Sequence, residues 1–165
     1  MVPDDFTGYF AAAATAAGAL IGLLFVAASL RPESVLGQGA PPASRAIASS
    51  AFTALINSFF VSLIALIPHT NLGYTATTMA LISLYSTWRT HHELSRHEAA
   101  VLQLVLAVLA YVTQLGLGIA LTIHQQDDSL VYAVAYVLIG SFAVALRRAW
   151  SLMQGKYTPA DQESS

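Results

Sequence analysis

The sequence predicts an all-α membrane protein, a bundle of five transmembrane helices with its N-terminus outside and its C-terminus cytoplasmic. Three observations carry that expectation. Of 165 residues, 56% are hydrophobic and 10% are charged, where a soluble domain carries about 25% charged residues. The chain divides into five apolar runs, four of them near or above the roughly 20 residues that span a bilayer and one slightly shorter. Finally, every Lys and Arg lies at the ends of these runs that an up-and-down path brings to one side. The expected transmembrane domain covers 1–154, with helices at about 6–30, 45–68, 72–90, 96–123 and 129–152; the remainder, 155–165, is polar and expected to be flexible.

The first run, Phe6–Leu30, has no ionisable side chain except the phenol of Tyr9. As a helix it measures about 37 Å, enough to cross a hydrocarbon core of about 30 Å with some tilt. Asp4 and Asp5 precede it and Arg31 follows. A cleaved signal peptide has a basic leader and a shorter apolar core, so this run reads as a permanent helix. The loop 31–44 is rich in Gly and Pro and is expected to be irregular. The second helix ends at Pro68, and the few residues after it force a tight hairpin into the third, the shortest run. Ser95 and Glu98 have capping-box spacing and predict the start of the fourth helix. Asp127 and Asp128 precede the fifth, while Arg147 and Arg148 sit near its end, both favourable to the helix dipole.

Arg31, Arg45, Arg89, Arg96, Arg147, Arg148 and Lys156 share one side, which the positive-inside rule makes cytoplasmic. Trp88 and Trp150 fall at that predicted interface, and Tyr9, Tyr74 and Tyr132 near the other. A net charge of −2 gives no footprint for nucleic acid. Without cysteine, disulfides, thiolate metal sites and thiol catalysis are excluded. No Asp, Glu, Lys or Arg falls in a predicted hydrocarbon core, which argues against proton relays and voltage sensing. Intramembrane peptide cleavage needs Ser with His, or paired Asp, and no core position supplies either partner.

Neutral polar residues remain as candidates. Ser50, Thr53 and Asn57 share one face of the second helix, and Tyr111 and Gln114 stand near mid-span on the fourth. They are candidate linings of a pore or cavity; the alternative is hydrogen bonding between helices, worth about 0.6–2 kcal/mol each. Asp127 and Asp128 are candidates for an acidic outer mouth, with helix capping as the alternative. Ala14, Gly18 and Gly22 form a small-residue seam, either within the chain or between protomers.

The loop between the third and fourth helices holds His91, His92 and His97 with Glu93 and Glu98. A zinc hydrolase helix needs HExxH, and here the second His falls one residue too far, turned by about 140°. The cluster reads as a solvated connector with no metal and no cofactor, although three imidazoles near two arginines also suit a pH sensor.

The run Gly18-Ala-Leu-Ile-Gly-Leu-Leu-Phe-Val-Ala-Ala-Ser-Leu30, followed by a basic residue, resembles the opening helix of small bacterial multi-pass inner-membrane proteins. The resemblance covers mainly this helix. It implies a bacterial inner-membrane location and carries over no catalytic or binding residue. The expected function is a small homo-oligomeric channel or pore, cation-permeable through its acidic mouth and not an enzyme. The alternative is a non-conducting accessory or scaffold subunit of a larger membrane complex. The expected partners are the lipid bilayer, further copies of the chain and other membrane subunits.

Overall fold

A computed structural model describes residues 4–30, 42–94, 98–124 and 127–153. They form five long helices and one short 3-10 turn, Asp4–Phe6, with no strand among the described residues. The helices are α1 (Thr7–Leu30), α2 (Pro42–Ala65), α3 (Leu72–Leu94), α4 (Glu98–Ile123) and α5 (Asp128–Met153). Four of them, α1, α2, α4 and α5, contain stretches long and apolar enough to cross a membrane. α3 does not reach that standard, because Thr75, Thr77, Thr78, Ser83, Ser86 and Thr87 dilute it.

The helix limits move where local chemistry requires it. α2 starts at Pro42, three residues before the expected start, since the fixed φ of proline and its missing N–H suit the first helical position. It ends at Ala65 rather than Pro68. The residue before a proline is driven out of the α region, so the chain leaves the helix early. Tight bonds from Leu66 N–H to the Leu63 carbonyl (3.2 Å) and from Ile67 N–H to the Ile64 carbonyl (3.0 Å) close the end. His69 takes a left-handed φ of 63° in the hairpin that follows. Asn71 then caps α3, its Oδ1 accepting the Gly73 N–H at 2.9 Å. α3 runs on to Leu94, so the backbone of His91 and His92 belongs to a helix rather than a connector. The predicted capping Ser95, the third imidazole of His97, the 31–41 part of the first loop and the tail 155–165 lie outside the described residues.

Side-chain contacts give the helix directions. Tyr9 donates to the Ala135 carbonyl at 2.9 Å, and the rings of Phe6 and Tyr132 meet edge-on at 4.5 Å. α1 and α5 therefore start at the same end of the bundle and run parallel. Gly73 faces Thr122 and Gly118 faces Thr77, so α3 and α4 are antiparallel. The five helices thus alternate in direction. One end carries Asp5, Asp127 and Asp128, and the other carries Arg45, Arg89, Arg147 and Arg148. α2 lies at the centre, against α1, α3 and α5, and the α4–α5 contact is thinner than those of α1–α2, α2–α3, α2–α5 and α3–α4.

The core has two apolar parts. Phe10, Val61, Leu72, Leu121 and Leu138 fill the aspartate end. Ala54, Leu55 and Ala145 pack with Leu20, Ile21 and Leu24 toward the arginine end. Large apolar side chains also cover the outside, among them Phe25, Leu81, Leu109 and Ile123. A helix apolar on both faces suits a lipid solvent, where no polar face is needed. Several hydroxyls on these helices bond back to their own turns: Thr15 to Ala11, Thr78 to Tyr74, Thr87 to Ser83 and Thr122 to Gly118. That satisfies them without water.

Candidate functional site

The mid-span polar residues come together, but not around an opening. Asn57 on α2 and Gln114 on α4 are both buried, Gln114 completely. Asn57 Nδ2 donates to Gln114 Oε1 at 2.8 Å, and Gln114 Nε2 donates back to Asn57 Oδ1 at 3.0 Å. The second Gln114 proton reaches the Ala76 carbonyl on α3 at 3.2 Å. Two primary amides matched donor to acceptor satisfy each other, so one ring of bonds ties three helices. Within the single chain, both amides expected to line a pore are enclosed and bonded to each other.

The other expected lining residues are also bonded within the chain. Ser50 donates to the Ile47 carbonyl at 2.9 Å. Thr53 donates to the Ser49 carbonyl at 2.9 Å and meets Ser86 Oγ of α3 at 3.1 Å. Tyr111 is only 2% exposed, and its hydroxyl is hydrogen-bonded to Ser83. Of the five, Tyr111 borders a groove.

That groove, of about 300 Å³, lies between α4 and α5, with Ala54 of α2 on its floor. Ala110, Gly140 and Val144 line it, with Tyr111 and Arg148. Its walls are apolar save for Tyr111, Thr113, Ser141 and Arg148. Arg148 is only 5% exposed, whereas Arg147 beside it is exposed. The sequence marked both as topological signals. The available signal for the difference was spacing: Val137, Ser141, Val144 and Arg148 follow i, i+4, i+7, i+11 on one face of α5.

No family model, no curated protein and no solved structure matches the chain. Its candidate sites therefore rest on geometry alone.

Asp127 and Asp128 are both exposed at the start of α5. Asp127 Oδ1 accepts the Ser129 N–H at 3.0 Å, which is the capping role. In the small-residue seam, Ala14 is buried, Gly18 stands against the Phe59 ring of α2, and Gly22 is exposed with open space above it. The seam is thus divided, with Ala14 buried, Gly18 facing α2 and Gly22 facing out. We expect Gly18→Leu to push Phe59 aside and lower stability by about 1–3 kcal/mol. Gly22→Leu is expected to leave an isolated chain unchanged. Unfolding of each variant in detergent checks this, and equal losses in the two would contradict the division.

Sequence reasoning passed over a second small-residue pair. Gly73 and Thr77 on α3 oppose Gly118 and Thr122 on α4, each glycine lying under the other helix's threonine. The spacing, Gly-x-x-x-Thr in both helices, was legible as small-xxx-small. No group of three or more metal-binding side chains occurs among the described residues, and the side chains of His91, His92 and His97 lie outside that set.

Proposed function

We propose that the chain is a small multi-pass membrane protein acting as a non-conducting accessory or scaffold subunit. Its described Asp residues face outward and its described Arg residues face the cytoplasm. The closed Asn57–Gln114 ring favours this over a pore, since the amides that would line a conduit are spent on each other. The partner reading is carried by one residue. Tyr136 is 70% exposed on α5, and its hydroxyl has no hydrogen-bond partner among the described residues. At 1.5 Å per residue it stands about 12 Å along the axis from Asp128, inside the hydrocarbon and too deep for a phenol to reach headgroups. An unpaired hydroxyl in lipid costs a few kcal/mol. Tyr132, Ala143 and Arg147 share its outward face. A neighbouring membrane protein offering one acceptor at that depth removes the cost.

A photo-crosslinker placed at position 136 tests the reading in native membranes. It is expected to capture a different membrane protein, and one placed at Leu63, on α2, is not. Tyr136→Phe is expected to weaken co-purification of that protein while leaving the isolated chain as stable as before. Ion flux through liposomes holding the purified chain alone, with no crosslink at 136 to another protein, would return the pore to first place.

A further inference from the structure

The α4–α5 groove has a shape that the accessory role does not use. From Val137 to Arg148 it extends along α5 for about 16 Å. Half of a hydrocarbon core of about 30 Å is about 15 Å, the depth of one leaflet. The backbone of Arg148 lies about 30 Å along the axis from Asp128, near the headgroup boundary opposite the aspartate end, and its buried side chain lines the groove beside Tyr111. The groove's other end stops at mid-membrane. Between the two, the walls are mainly Ala, Leu, Val and Gly. The groove is therefore one leaflet long, apolar along its length and cationic at the headgroup end.

We propose that this groove binds one acyl chain of an anionic phospholipid from the leaflet at the Arg148 end, with its phosphate on the Arg148 guanidinium. A guanidinium carries five N–H donors in a planar fork, enough to hold protein groups and a phosphate together. Basic pockets between helices on the cytoplasmic side suit such headgroups. A volume of about 300 Å³ lies at the small end of ligand pockets. It accommodates a single chain rather than a helix, which measures about 10 Å across. Gly140 keeps the wall low: a Cβ built there meets nothing within 4 Å. The bound lipid lies between α4 and α5 and so fastens the two helices. It needs no protein partner, so its success or failure is separate from that of the accessory role.

The test uses purified full-length chain in neutral detergent, titrated with dioleoyl phosphatidylglycerol and read by native mass spectrometry and thermal unfolding. One lipid is expected to bind saturably and raise the melting temperature. Dioleoyl phosphatidylcholine is expected to bind at least about tenfold more weakly, because its choline cation offsets the phosphodiester charge and repels the guanidinium. Arg148→Gln is expected to lose the preference between the two lipids. Because that variant can fail to fold, Gly140→Trp provides a second route: it fills the groove from an open position and should abolish binding while the bundle stays folded. Arg147→Gln, on the exposed neighbour, should bind as the parent does. Undiminished binding in Gly140→Trp, equal affinity for both lipids, or the same thermal shift with inorganic phosphate alone overturns the proposal. So does a dimer that Gly140→Trp dissociates, since that makes a second copy the occupant.

Discussion

Gly118→Ala is expected to pry α4 from α3. A Cβ on Gly118 would lie 2.6 Å from Thr77 Oγ1, 2.7 Å from Thr77 N and 3.1 Å from the Gly73 carbonyl. The same atom on Gly73 would lie 2.5 Å from Thr122 Oγ1, 2.6 Å from Thr122 N and 2.7 Å from the Gly118 carbonyl. Two of the three neighbours in each case are backbone, which no rotamer change can move. The helices must separate, and the packing lost along α3 and α4 is expected to cost about 1–3 kcal/mol. In lipid this loss matters more than it would in water, because close packing is what holds helices together there. Gly116→Ala on the same helix is the control, since its added methyl meets open space. Reversible unfolding in mixed micelles measures the difference. Equal stability of Gly118→Ala and Gly116→Ala would show that the two backbones do not approach as described.

The second large effect is expected from the amide ring, and it is unequal between its members. Gln114→Leu strips Asn57 of both side-chain bonds it has among the described residues and leaves a buried amide unpaired. Asn57→Leu strips Gln114 of two bonds but leaves the Ala76 carbonyl in place. We expect Gln114→Leu to be the costlier, at about 1–3 kcal/mol for the stranded amide. The double variant, apolar on both sides, is expected to recover part of that loss. A double-mutant cycle read by unfolding checks the coupling. Strict additivity of the two single changes would mean that the amides do not depend on each other. Unaltered stability combined with altered ion flux would instead favour a lining role.

Much of the helical framework was legible in the sequence, since it follows from local properties. Apolar runs of spanning length separated by Pro, Gly and charge allow few other structures, and α1 and α4 lie within two residues of their expected limits. Pro42 and Pro68 shifted the ends of α2 through backbone preferences that were readable but were given too little weight. The fate of the polar residues was not legible. Ser50, Thr53 and Asn57 share a helix face whether that face meets water or another amide, and periodicity reports the face without naming what stands opposite. Which helix faces Asn57 depends on how α2, α3 and α4 are arranged, and no local signal encodes that. The two arginines of α5 make the same point, adjacent in sequence and opposite in exposure.

The sequence by itself determined the apolar character of the surface, the number of long helices and the gathering of the described arginines at one end. All three depend on composition along the chain and on the alternation of direction that short connections impose. The tertiary structure alone decided that Gln114 answers Asn57, that Gly73 and Gly118 bring two backbones together, and that Arg148 is enclosed beside a groove. Each of these depends on atoms from helices far apart in the chain meeting within about 3–4 Å, a distance that packing sets.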